Sequence, residues 1–144
     1  PPPPPPFSSR RRHTRSTLQS RGLGDVYKRQ RQAYRAATRH WPKEPRGFLA
    51  LGNNLYTAAD YPQAATAFRT AATLSPADPQ AWNNLAYALL KSSCPLQAQA
   101  AADCAAGLAP DDPNYRDTAA EIATLAHGGD AAHCRPVDCG AVAQ

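Results

Sequence analysis

Pro42-Lys43-Glu44-Pro45, Pro76-Ala77-Asp78-Pro79 and Pro110-Asp111-Asp112-Pro113 are three copies of one tetrapeptide, Pro-x-acid-Pro, each 34 residues after the last. The first proline of each copy ends a helix, because its ring cannot continue the i to i−4 hydrogen-bond ladder. Glu44, Asp78 or Asp112 then offers a carboxylate as an N-terminal cap. The second proline takes the first helical position, where its missing N–H costs nothing. The spacing therefore predicts an all-α chain built from repeated helix pairs.

The intervening residues agree. With Pro45, Pro79 and Pro113 as position one, Phe48 and Trp82 share position four, Leu51 and Leu85 position seven, Gly52 and Ala86 position eight, and Leu55 and Leu89 position eleven. Steps of three and four place these on one face of a first helix. Ala64 and Ala98, Phe68 and Ala102, and Ala71 and Ala105 share positions twenty, twenty-four and twenty-seven, one face of a second helix. Small residues let the two helices approach while an aromatic fills the space between them. Phe68 and Trp82 are expected in the core shared by adjacent pairs, and the second repeat, with Ala102 for Phe68, is expected to pack less fully.

The stretches FLALGNNLYTAADYPQAATAFRTAATLSP and WNNLAYALLKSSCPLQAQAAADCAAGLAP resemble the tetratricopeptide repeat family, whose 34-residue pattern runs Trp, Leu-Gly, Tyr, Ala, Phe, Ala, Pro. Leu55 and Leu89 depart from its Tyr, Ala86 from its Gly and Ala102 from its Phe. The resemblance implies a right-handed solenoid of about two and a half repeats: a half repeat at 31–44, full repeats at 45–78 and 79–112, and a closing helix at 113–127 stopped by Gly128 and Gly129. Residues 128–144 are expected to form a flexible cysteine-containing tail.

Residues 1–30 are of another composition. Six consecutive prolines are followed by a polar string without helical or strand period, and the segment is expected to remain unstructured, because it has too little apolar surface to offset chain entropy. SSRRRHTRSTLQSRGLGDVYKRQ resembles translated sequencing-adapter sequence, which implies a non-native leader. Its seven basic residues against Asp25 give residues 1–30 a net charge of +6, so with +5 on the whole chain the remainder carries −1. The basic excess is confined to this segment, and nucleic acid is not expected as a partner. No stretch approaches the roughly twenty apolar residues of a membrane span.

Reactive side chains cluster late. Cys134 and Cys139 enclose Arg-Pro-Val-Asp, with His133 adjacent and His127 upstream. As a zinc site the spacing matches none of the paired-ligand patterns. As a disulfide framework, Cys94, Cys104, Cys134 and Cys139 allow three connectivities, of which Cys134 with Cys139 requires least of the fold; free thiols, with Cys104 a small core residue, are the other alternative. An oxidising compartment follows only if bridges exist. No cysteine–histidine pair sits in a nucleophile setting, and no glycine loop follows a strand to cradle phosphate. Asp111, Asp112, Asp117 and Glu121 fit the charge preference of a helix N-terminus. The chain is therefore expected to be non-catalytic, without cofactor or metal.

In the family that the repeats resemble, positions two, five, nine, twelve and thirteen of the first helix line a concave face. Here they are Arg46, Leu49, Asn53, Tyr56 and Thr57, then Gln80, Asn83, Tyr87, Leu90 and Lys91, with Asn84 at position six. The resemblance implies a groove for an extended peptide or partner segment, with Asn53, Tyr56, Gln80, Asn83, Asn84, Tyr87 and Lys91 as its binding residues. Amides donate to and accept from a peptide backbone at once, and tyrosines add flat apolar surface with a polar tip. Asn53 and Asn84 stand where chaperone-binding members carry clamp asparagines, whereas the clamp lysine is Leu49, so an acidic C-terminus is not the expected ligand. Asn84 also suits a helix-to-helix hydrogen bond. A narrower resemblance, carried by RQAYRAATRHWPKEP, LGNNLY, WNNLAYALL and NYRDTAAEI, is to the C-terminal repeats of bacterial papain-like cysteine peptidases that trim double-glycine leaders. It implies an accessory fragment of a larger envelope or periplasmic hydrolase.

Overall fold

The computed structural model describes residues 8–140, with side chains from residue 22. The described residues form six helices and no strand: α1 (Ser8–His40), α2 (Pro45–Thr57), α3 (Tyr61–Leu74), α4 (Pro79–Lys91), α5 (Pro95–Leu108) and α6 (Pro113–Leu125). Each packs on its successor in the chain, and α4 also meets α6, giving a repeat-like helical array.

The punctuation acts as its chemistry requires. Glu44 accepts from the Arg46 amide at 3.3 Å, Asp78 from Gln80 at 3.0 Å and Asp112 from Asn114 at 2.9 Å, each ahead of a proline at the first helical position. Within each pair, a left-handed residue turns the chain: Ala59 at φ 61° and Ser93 at φ 63° occupy the same repeat position. One residue later, Asp60 caps α3 through the Gln63 amide, while Cys94, its counterpart, makes no side-chain capping bond to α5. That cap arrives from the far end of the chain, where Asp130 Oδ1 accepts from the Leu96 amide at 2.8 Å.

Leu51, Leu55, Phe68, Ala71, Trp82, Leu85, Ala98, Ala102 and Ile122 belong to one continuous buried cluster. Trp82 satisfies its indole N–H on the Pro76 carbonyl at 2.9 Å. Gly52 faces Phe68 so closely that an added Cβ would lie 2.5, 2.6 and 2.9 Å from three ring carbons. In the next repeat the same positions hold Ala86 and Ala102, both fully buried. A glycine admits an aromatic ring in one repeat; two alanines fill the equivalent place in the other.

Two expectations are corrected. Residues 8–30, expected to be unstructured, continue the helix that ends at His40; residues 1–7 lie outside the described residues. Lack of an apolar stripe removes packing energy but not helix propensity. No proline occurs between Pro6 and Pro42, arginine, a good helix former, is the commonest residue of the stretch, and extending an existing helix adds one hydrogen bond per residue. The helix is anchored near its C-terminal half, where Asn54 of α2 donates to the Tyr27 carbonyl at 3.1 Å and accepts from Arg31 Nε at 3.0 Å.

The tail, expected to be flexible, is fastened across α3 and α5. Cys94 is joined to Cys134 and Cys104 to Cys139, a connectivity different from the local Cys134–Cys139 loop. Arg69 of α3 donates to the Pro136 and Arg135 carbonyls at 2.8 and 3.1 Å, and the Val137 amide donates to Gln97 Oε1 at 2.6 Å. Burial, and secondarily Arg135, lowers the Arg69 pKa below its ordinary value.

Candidate functional site

Two cavities bring polar side chains of several helices together. The first, about 300 Å³, lies between α2 and α4 and is lined by Asn53, Tyr56, Phe68, Asn84 and Tyr87. Asn53 and Tyr56 stand three residues apart on α2, as Asn84 and Tyr87 do on α4, so each helix offers one face to the cavity. The α3 ring of Phe68, only 2% exposed, closes the gap between them.

The phenols are positioned by different means. Tyr56 packs edge-on against Tyr61 with ring centroids 5.1 Å apart. Partial burial, then the neighbouring Tyr61 and Tyr87, raises its pKa, so it presents a neutral hydroxyl at physiological pH. The Tyr87 hydroxyl lies 3.2 Å from Glu121 Oε2 and 3.4 Å from Thr118 Oγ1, which ties the α4 side of the groove to α6. Asn53 is exposed and Asn84 half-buried.

Of the seven residues assigned to the groove by sequence, the cavity brings together Asn53, Tyr56, Asn84 and Tyr87. Gln80 and Lys91 are exposed at opposite ends of α4, outside the cavity lining. Asn83 is also absent from the lining, and its Oδ1 is enclosed without a hydrogen-bond partner. Phe68 was legible only as core. Its position-twenty-four phase signals burial, and nothing in that phase distinguishes a core ring from one whose edge also floors a groove.

The second cavity, about 350 Å³, opens between α3, the start of α5 and the tail; Thr66, Arg69, Cys94, His133, Cys134 and Arg135 are among its lining. Cys94, His133 and Cys134 bring three ligand-type atoms within 4.8 Å of one another, a grouping that sequence spacing did not reveal. The signal available beforehand was Cys94 standing in place of the capping Asp60. Its partner 40 residues away carried no periodic mark.

No family model matches the chain, and no curated protein matches it.

Proposed function

We propose that this chain is an interaction module of tetratricopeptide type, a right-handed solenoid whose groove between α2 and α4 binds an extended peptide or a segment of a partner protein, without catalysis. The observation that carries this reading is the convergence of Asn53, Asn84, Tyr56 and Tyr87 over the Phe68 ring. An extended peptide presents alternating backbone N–H and C=O groups. The two amides can answer both, while the aromatic surfaces cover an apolar side chain. The groove has no lysine or arginine among its lining residues, which disfavours recognition of a carboxylate terminus. The two disulfides fit work in an oxidising compartment.

The test is a peptide array probed with the oxidised protein and with Asn53→Ala/Tyr87→Ala. Peptides bound by the parent should lose about 1–4 kcal/mol of affinity to the variant if these residues are contact hot spots. Thermal unfolding of the two proteins checks that the fold is kept. Equal binding by both would refute the groove as the site.

A further inference from the structure

The two disulfides sit in opposite electrostatic surroundings. The cavity beside Cys94 and Cys134 is lined by Arg69, Arg135 and His133, whereas that beside Cys104 and Cys139 is lined by Asp103 and Asp138. We propose that Cys94–Cys134 is a thiol–disulfide exchange site, opened by an external dithiol that attacks Cys134, while Cys104–Cys139 serves as the structural bridge.

Access sets the direction of attack. Cys94 is 1% exposed, whereas Cys134 is partly exposed at the mouth of the 350 Å³ cavity. An incoming thiolate therefore meets the Cys134 sulfur, and the guanidinium groups of Arg69 and Arg135 favour its approach. Two carboxylates disfavour the same approach at Cys104–Cys139.

The leaving group is prepared as well. Cys94 is the N-cap residue of α5, but Pro95 has no N–H and the Leu96 amide is already taken by Asp130, so stabilisation of a Cys94 thiolate falls to His133. His133 Nε2 lies 2.9 Å from the Ser92 carbonyl oxygen and 3.8 Å from Cys94 Sγ. A carbonyl oxygen only accepts, so Nε2 carries the proton of that bond. The same N–H is a donor within reach of a Cys94 thiolate.

The reaction balances as a two-electron exchange. A thiolate of the dithiol forms a bond to Cys134 Sγ, the Cys94–Cys134 bond breaks, and its electron pair leaves on Cys94 Sγ. The second thiolate of the reagent attacks its own sulfur in the mixed disulfide and expels Cys134 as a thiolate. The dithiol ends oxidised as its disulfide, the protein gains two cysteine sulfurs in the reduced state, and the two protons given up by the reagent are taken by them. Each resulting thiol has an acceptor in place: the Ser92 oxygen 3.6 Å from Cys94 Sγ, and the Ser93 oxygen 3.5 Å from Cys134 Sγ. The tail stays held by Asp130 on Leu96, Ala131 on Ser93 and Arg69 on residues 135 and 136, so the sulfurs remain adjacent and the bridge can reclose.

The experiment treats the oxidised full chain with dithiothreitol at fixed pH, quenches with acid at intervals, alkylates, and locates the label by mass spectrometry. Cys94 and Cys134 should be labelled as a pair about tenfold or more ahead of Cys104 and Cys139. His133→Ala should slow that first step about tenfold, equivalent to about 1.4 kcal/mol and of the order of one hydrogen bond to a charged group. Arg135→Gln, a change at an exposed side chain, should slow it severalfold. In both variants Cys104–Cys139 should react at its parent rate, which also reports an intact fold. Equal rates for the two bridges, earlier opening of Cys104–Cys139, or variants that leave the first step unchanged or alter both bridges alike would each overturn the proposal.

Discussion

Replacing Gly52 by Ala should destabilise the protein, although the same change in an unconstrained helix stabilises it by about 1 kcal/mol. The added Cβ would stand 2.5 Å from Phe68 Cε1 and 2.6 Å from Cδ1, about an ångström inside even the lower end of the usual separation of about 3.5–4.0 Å between carbon atoms. Phe68 is 2% exposed and hemmed by the buried cluster, so its ring cannot swing into solvent. Overpacking of this kind costs about 1–3 kcal/mol, occasionally more. With an overlap this large we take the upper end, and subtracting the propensity gain leaves a net loss of about 2 kcal/mol. Phe68→Ala alone should cost about 3–5 kcal/mol through lost burial and the space left behind. In that background Gly52→Ala recreates the Ala86/Ala102 arrangement of the next repeat and should become stabilising. Urea denaturation of the parent, both single variants and the double variant, all with disulfides intact, measures the cycle, and the coupling should be about 2 kcal/mol or more. If Gly52→Ala has the same sign in both backgrounds, the size complementarity argued from these two repeats is wrong.

Three further outcomes follow from the same geometry. Asp60→Ala and Asp130→Ala should each cost about 1 kcal/mol in denaturation, because both carboxylates cap a second helix of a pair although one lies far outside its helix in sequence. Trp82→Phe should cost about 0.5–1.5 kcal/mol, since the part-buried bond from the indole N–H to the Pro76 carbonyl is lost; an unchanged midpoint would refute a structural role for that bond. Tyr56 and Tyr115 should ionise above the ordinary tyrosine pKa of about 10 in an ultraviolet titration, chiefly because burial disfavours the phenolate. Their folded pKa values are raised, so their contribution is complete below the unfolded value and is lost as pH rises from about 10 through the folded values.

Much of the fold could be read in the chain because prolines and capping acids act locally. Glu44, Asp78 and Asp112 needed only neighbouring amides to do what their sequence position implies. The apolar phase likewise placed Leu55, Phe68, Leu85 and Trp82 in the core. The N-terminal part of α1 was hidden because its residues lack an apolar period, although no proline interrupts the helix before Pro42. The tail was hidden for a different reason: disulfide pairing, and the loan of Asp130 to cap α5, are long-range choices that no local pattern encodes. In the groove, phase alone could not separate Asn83 from Asn84. Adjacent residues on a helix point about a quarter-turn apart, and only the packed structure puts Asn84 in the lining while leaving Asn83 Oδ1 enclosed.

The central claim is that the face between α2 and α4 receives an extended peptide. Amide and aromatic chemical-shift mapping of the oxidised protein, titrated with a peptide selected on the array, tests it most directly. The account predicts the largest changes at Asn53, Tyr56, Phe68, Asn84 and Tyr87, with little change at Arg69, His133 and Cys134. Changes centred instead on α3, α5 and the tail would contradict it.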